Sequence, residues 1–229
     1  MLTVTKDRVL PTTIVGSYPR PHWYTESLRG RPFKAALADT LFREQYFDAV
    51  ACILNDQERA GLDILTDGDA RFDQDVGGRS WFFYPLERIQ GVGGHRDRAP
   101  GWSSRMDLRP GQILWEVQEA YQAPITTEKL SHGPIQYAAV WQAAQRLTER
   151  PVKFGSISAQ TLPSMLWNEA YEDDREMILD LVDIINGELR AVAAAGCKVI
   201  QIEEPLHHFL SLNPDTTDEH LQFLTDAFN

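Results

Sequence analysis

At 229 residues, 43% hydrophobic and 24% charged, the chain is long enough to bury a sizeable core in one large α/β domain or two small ones. Its formal charge of -11 and pI near 5.0 argue against a surface built for nucleic acid or acidic lipid. No run approaches the ~18 apolar residues of a membrane span, the N-terminus lacks a signal peptide's apolar core, and the cysteine usage suits a reducing compartment, so a cytoplasmic protein is expected.

Taken in order, the elements alternate. A strand-type run at 12–16 leads into a loop rich in proline and aromatics. Helical spacing then extends from about Phe33 to Ala60, with Leu37, Leu41, Ala49, Ile53 and Leu54 on one face and Gly61 as its stop. A strand at 62–66 follows. Residues 72–110 look irregular, with Trp81, Phe82, Phe83, Tyr84 and Trp102 among glycines and arginines, and read as an elaborated loop or lid. Within it, Gly91-Val92-Gly93-Gly94 lacks the strand-to-helix setting of a dinucleotide fingerprint. Then come a strand at 112–121, a helix near 134–148, a strand at 152–157 and a helix from about 160 to 171. The longest helix is expected from about Asp174 to Ala195, capped by Asp173 or Asp174 and ended by Gly196. Its stripe is Ile178, Leu181, Val182, Ile185, Leu189 and Val192. A strand at 198–203 and a helix at about 217–228, with Thr217 as cap, close the series. Strands alternating with helices imply parallel βα units, hence an α/β fold.

The chemistry gathers where strands end. Lys198-Val199-Ile200-Gln201-Ile202 is a buried-strand pattern that stops on Glu203-Glu204-Pro205, and the carboxyl ends of parallel strands are where α/β folds place ligand-binding groups. A solvated turn is the alternative reading of the same residues. Thr12-Thr13-Ile14-Val15 runs likewise into Gly16-Ser17, where glycine allows close backbone approach to an anion and serine adds a donor. Leu62-Asp63-Ile64-Leu65-Thr66 runs into Asp67-Gly68-Asp69-Ala70-Arg71. Cys52 and Cys197 stand apart from any metal-ligand spacing and read as small buried hydrophobes. His207 and His208 are adjacent, a poor geometry for joint ligation, so no metal is expected on this chain.

Four blocks carry a family resemblance: Thr13-Ile14-Val15-Gly16-Ser17-Tyr18-Pro19, Thr66-Asp67-Gly68-Asp69-Ala70-Arg71, Gln145 to Lys153, and Ile200-Gln201-Ile202-Glu203-Glu204-Pro205. In this order they resemble the catalytic domain of the cobalamin-independent methionine synthase family. The resemblance implies a (β/α)8 TIM-barrel type of fold and a zinc-dependent methyl or alkyl transfer to a thiol such as homocysteine. It also implies a substrate site in which Val15, Gly16 and Ser17 take the carboxylate and Asp69 and Glu203 the ammonium. Trp81 in the aromatic loop and Trp167 are candidates for meeting the donor. Three departures matter. Asp69 and Glu203 stand where the family usually has Glu and Asp, Ser158-Ala159 replaces a Gly-Pro, and Tyr121-Gln122-Ala123-Pro124-Ile125 lacks the basic segment that meets a folate tail. The last tells against a folate polyglutamate donor and leaves the donor open.

A complete barrel has eight strands in typically about 250 residues, and five are visible here. Residues 1–229 are therefore expected to form an incomplete barrel domain, with 72–110 elaborated and the zinc ligands on a second polypeptide or a missing C-terminal part. Such a methyltransferase would act only as a complex. A related thiol lyase on the same barrel, and a non-catalytic partner of a complete homologue, are the alternatives.

Overall fold

The computed structural model describes residues 4, 7–24, 38–71, 83–97 and 122–229. The chain divides into two compact units. The first comprises Met1–Tyr84, Gln136–Ser156 and Glu188–Gln201, and the second Pro85–Ile135, Ile157–Gly187 and Ile202–Asn229. The expected 112–121 strand and Trp81 lie outside the described residues.

In the first unit, α1 (Thr40–Arg59) begins where the Asp39 side chain accepts the Phe42 N–H at 3.1 Å and ends before Gly61, whose φ is +82°. The expected stripe is out of phase by one residue at its start. Phe42, Tyr46, Ala49, Val50, Ile53, Leu54 and Gln57 are buried, whereas Leu41 is 65% exposed. The cap decides this, because starting the helix at Thr40 turns Phe42 rather than Leu41 inward. Tyr24 stacks on Phe42 at 5.9 Å and approaches Tyr46 at 6.3 Å, closing an aromatic core.

The expected strand at 12–16 is an extended segment without a ladder. Its polar groups are met by Asp63 instead: the Thr12 N–H and hydroxyl donate to Asp63 Oδ2 at 2.9 and 3.0 Å, and Thr12 C=O accepts from Asp63 and Ile64 N–H at 3.1 Å each. These bonds hold the Asp63 carboxyl below its ordinary value, the backbone donor contributing most. The 62–66 strand contracts to one parallel bridge, Leu65 with Val152. Across it Leu65 N–H donates to Pro151 C=O and Lys153 N–H to Leu65 C=O, both at 2.9 Å. Beyond the bridge, Gln57 takes over the partner's part. Its side-chain amide donates to Thr66 C=O at 2.8 Å and accepts from Thr66 N–H at 2.9 Å.

The helix expected at 134–148 is α3 (Tyr137–Gln145), shorter at both ends. Gln136 precedes it at φ +60° with no side-chain cap, so the buried Glu188 carboxylate supplies one by accepting the Tyr137 N–H at 2.8 Å. Trp141 Nε1 donates to Val152 C=O at 2.9 Å, fixing α3 to the segment entering β3 (Phe154–Ile157).

In the second unit, β1 (Gln90–Asp97) runs antiparallel to β2 (Gln122–Ser131), which pairs in parallel with the two-residue β4 (Trp167–Asn168). Part of the span read as irregular is thus a strand, and it carries the Gly91-Val92-Gly93-Gly94 run. Two register shifts interrupt its ladder, and a Cβ at Gly91 would come within 2.7 Å of Lys129 O. Glycines and bulges of this kind remove the alternating apolar pattern by which a strand is recognised.

The helix expected at 160–171 does not form. Leu162–Met165 is a short 3-10 turn containing Pro163, followed by β4, and the Asn168 side chain collects the Ala170 and Tyr171 N–H groups at 3.2 and 2.9 Å. Proline and a side chain competing for backbone donors both oppose a helix here.

α4 (Asp174–Ala194) follows the expectation. Asp173 accepts the Arg175 N–H at 2.8 Å, the buried face carries Met177, Ile178, Leu181, Ile184, Ile185 and Val192, and Gly196 stands past its end at φ +110°. β5 (Ile200–Glu203) pairs with β3. Phe154 N–H donates to Val199 C=O in the first unit and Ser158 N–H to Glu203 C=O in the second, an advance in step that parallel strands require. Two helices follow, α5 (Leu206–Ser211), unforeseen, and α6 (Asp218–Phe228), whose Thr217 cap accepts the His220 N–H at 3.2 Å. Ile178, Leu210 and Leu224 bury a small core among α4, α5 and α6. No described helix is long and apolar enough to cross a membrane.

Candidate functional site

Two loops of the first unit meet. Gly16 has φ +83° with open space where a Cβ would stand, so the chain turns sharply after the extended segment. Val15 is 71% exposed, which leaves its backbone as the part of it available to the turn. Tyr18 N–H then donates to Gly68 C=O at 3.0 Å, and the Ser17 hydroxyl donates to Asp69 Oδ2 at 3.4 Å. Gly16-Ser17 and Asp69 are thereby brought to one place. At Gly68, φ is +68° and a Cβ would stand 2.8 Å from Tyr18 Cβ and 2.7 Å from Ile53 Cγ2, so only glycine allows this closeness.

Asp69 is itself left-handed, at φ +51°, and 6% exposed. Besides the Ser17 hydroxyl, contacts to its backbone and its carboxylate hold it there. Its N–H donates to Asp67 Oδ1 at 3.0 Å, its C=O accepts from Arg20 Nη2 at 2.9 Å, and its carboxylate lies 3.7 Å from Arg71 Nη2. Arg71 is fully buried. It pairs with Asp67 at 2.8 Å, donates to Gly155 C=O at 2.6 Å, and lies over the Phe154 and Tyr137 rings at 4.6 and 5.7 Å. Burial works against its charge, but Asp67 and then Asp69 outweigh it and hold the guanidinium above its ordinary value. Arg20 goes the other way, because burial lowers it more than Tyr24, Asp69 and Asp67 raise it. Burial also raises the Tyr46 and Tyr137 phenols, which stay neutral around these charges. Lys153, 4% exposed, donates to Ile14 C=O at 2.6 Å and to Gln201 Oε1 at 2.7 Å, tying the extended segment to the strand that leads toward Glu203.

Glu203, half-buried at the end of β5, belongs to the second unit. Its neighbour Glu204 has a structural task. Its carboxylate accepts from the Ser158 hydroxyl, from Thr161 Oγ1 at 3.2 Å, and from the His207 N–H at 3.1 Å, so it clasps the turn after β3 to the start of α5. Ser158, read as a departure from a Gly-Pro, is thus the donor that fixes Glu204. Trp167 is half-buried in β4 with the Arg96 guanidinium 5.0 Å from its ring centre, and Arg96 also pairs with Glu169.

Arg20, Arg71 and Lys153 received no role from the sequence although each lies in a quoted segment or beside one. The Asp67/Arg71 spacing of four was the available signal. The described residues do not fit a zinc site. Among the described residues no three His, Cys, Asp or Glu side chains gather as a metal-holding group. Cys52 is exposed on α1, contrary to its reading as buried. Cys197 is buried, its thiol donates to Val199 C=O at 3.2 Å, and burial raises it, the reverse of what a thiolate ligand needs.

Residues 10–83 match the family described as cobalamin-independent synthase, catalytic domain. The chain is 29% identical to the methionine synthase of Sulfolobus acidocaldarius over 96% of its own length and 57% of that protein, and 30% identical to that of Sulfurisphaera tokodaii over 87% and 53%. It thus spans about half the length of the curated relatives it matches. Among solved structures it resembles a B12-independent methionine synthase from a Shewanella species in complex with selenomethionine, with TM-score 0.63, 20% identity, and 89% and 53% of the two chains covered. It also resembles a putative vitamin-B12 independent methionine synthase from Listeria monocytogenes, with TM-score 0.66, 18% identity, and 97% and 61% covered. The fold is of their α/β, TIM-barrel type.

Proposed function

From its kinship with the cobalamin-independent methionine synthases, we propose that this chain carries the amino acid end of the acceptor site of a methyl- or alkyltransferase acting on a thiol such as homocysteine. One observation supports this most. The Gly16-Ser17 turn and the Asp69 carboxylate meet through the Tyr18 to Gly68 bond at 3.0 Å and the Ser17 to Asp69 contact at 3.4 Å. An amino acid bears its carboxylate and ammonium on one carbon, so its site must set an anion-binding turn beside an acid.

In this reading the Val15, Gly16 and Ser17 segment receives the carboxylate, and Asp69 with Glu203 receives the ammonium. Zinc, when bound, supplies the Lewis acid that lowers the thiol's pKa, and its ligands lie outside the residues described here, on a second polypeptide or on further length of this one. Residues 1–229 then form part of one barrel domain, in the cytoplasm, and work within a complex. Trp167, with Arg96 already over its ring, and Trp81 are the candidate contacts for the methyl or alkyl donor.

The test is calorimetric titration with homocysteine. Glu203→Gln and Asp69→Asn should each weaken binding by about 1.5–3 kcal/mol, the range for a charge-assisted hydrogen bond. Glu204→Gln should weaken it less, since Glu204 is engaged by Ser158, Thr161 and the His207 N–H. Negligible effects at both Asp69 and Glu203 would remove the acid pair from the site.

A further inference from the structure

We infer that Arg20 is a positioning residue for the thiol substrate's ammonium group, acting through the backbone of Asp69. This rests on the reading that Asp69 faces that ammonium. Asp69 sits in the left-handed region at φ +51°, a conformation that non-glycine residues keep only when their surroundings determine it. Its N–H is fixed from its own loop by Asp67, at 3.0 Å. Its carbonyl is fixed from the other loop, by Arg20 Nη2 at 2.9 Å. A residue held at both its N–H and its C=O has the peptide planes on either side of its Cα fixed, and with them its Cα–Cβ direction and the side from which the carboxylate approaches.

Arg20 is suited to this by chemistry and by place. It lies four residues beyond Gly16, in the same turn that presents Ser17 to Asp69 Oδ2 at 3.4 Å, so a displacement of the turn moves the carbonyl clamp with the hydroxyl. Its guanidinium offers several donors in a rigid plane, where an ammonium is a compact point charge. Asp67 and Asp69 are both among the charges that support it where it is buried. Arg71, the other guanidinium of the cluster, grips Asp67 and Gly155 C=O more closely than it approaches Asp69. Arg71 therefore builds the floor of the loop, and Arg20 aims its acid.

The test compares two thiols on the full chain, together with any partner that co-purifies with it from its host. Homocysteine has the ammonium; 4-sulfanylbutanoate has the same thiol and carboxylate without it. Arg20→Met keeps the apolar stem and loses the donors. It should weaken homocysteine binding about tenfold, the scale of one charge-assisted contact, and change 4-sulfanylbutanoate binding less than about twofold. Arg20→Lys keeps one donor and should recover part of the loss, and it serves in place of Arg20→Met should that variant not fold. Asp69→Asn is the control for the underlying reading and should show the same selectivity. If Asp69→Asn discriminates between the thiols while the Arg20 variants affect both equally or neither, the positioning role is overturned and the ammonium site stands. If Asp69→Asn does not discriminate, the ammonium site itself is wrong.

Discussion

Arg71 shows how much of this molecule depends on one side chain that its sequence leaves inconspicuous. It is fully buried against Phe154, with Asp67 at 2.8 Å and Gly155 C=O at 2.6 Å. Arg71→Met would leave the Asp67 carboxylate buried without the cation that pairs with it, and should cost about 3–5 kcal/mol in urea unfolding at neutral pH. Adding Asp67→Leu should return part of that loss, because the uncompensated charge is then gone. A loss below about 1 kcal/mol in the single variant would mean that water reaches the carboxylate. Gly16, Ser17 and Asp69 stood out in the sequence because each follows an apolar run, and the structure brings the three together. Arg20, Arg71 and Lys153 did not, since part of what holds each buried cation comes from far away in the chain: Asp69 for Arg20, Gly155 for Arg71 beside its near partner Asp67, and Ile14 for Lys153.

Elements were legible where local signals agree. In α4 and α6 the caps at Asp173 and Thr217 and the apolar spacing point the same way, and both helices lie where expected. The span 160–171 had the spacing without the backbone freedom, since Pro163 and the Asn168 side chain take the donors and the geometry that a helix needs. In α3 the start is set from outside the element, by Glu188 on α4. Glu188→Ala removes the acceptor of the buried Tyr137 N–H and should destabilise the protein by about 1–3 kcal/mol. Glu188→Gln keeps an acceptor and should lose less than half as much. Equal losses in thermal melts would show that the charge, rather than the hydrogen bond, supports the helix start.

For the molecule as a whole, the alternation of strand and helix patterns was enough to give the α/β class. The antiparallel β1 was hidden by its glycines and register shifts. The metal is tested at this scale too. If the ligands lie elsewhere, the isolated 229-residue chain, dialysed against zinc and then buffer, should retain far less than one equivalent. On the proposed reading, an assembly that completes the barrel should hold about one zinc. Tight, stoichiometric zinc in the 229-residue chain alone would contradict the placement of the metal's ligands on a second polypeptide or on further length of this one.

The bond pair between Gln57 and Thr66 has a consequence for how the chain avoids sticking to others. A strand end with unsatisfied N–H and C=O groups is a template on which a foreign segment can add. Gln57 closes that template at Thr66 from within, since one side-chain amide satisfies both groups at 2.9 and 2.8 Å. The ladder begun at Leu65 and Val152 therefore stops by saturation rather than by a break in the chain. The residues just beyond are released from strand geometry, and the left-handed backbone at Gly68 and Asp69 becomes accessible to them. A glutamine on a helix thus both closes the ladder and marks where the Gly68 and Asp69 loop starts.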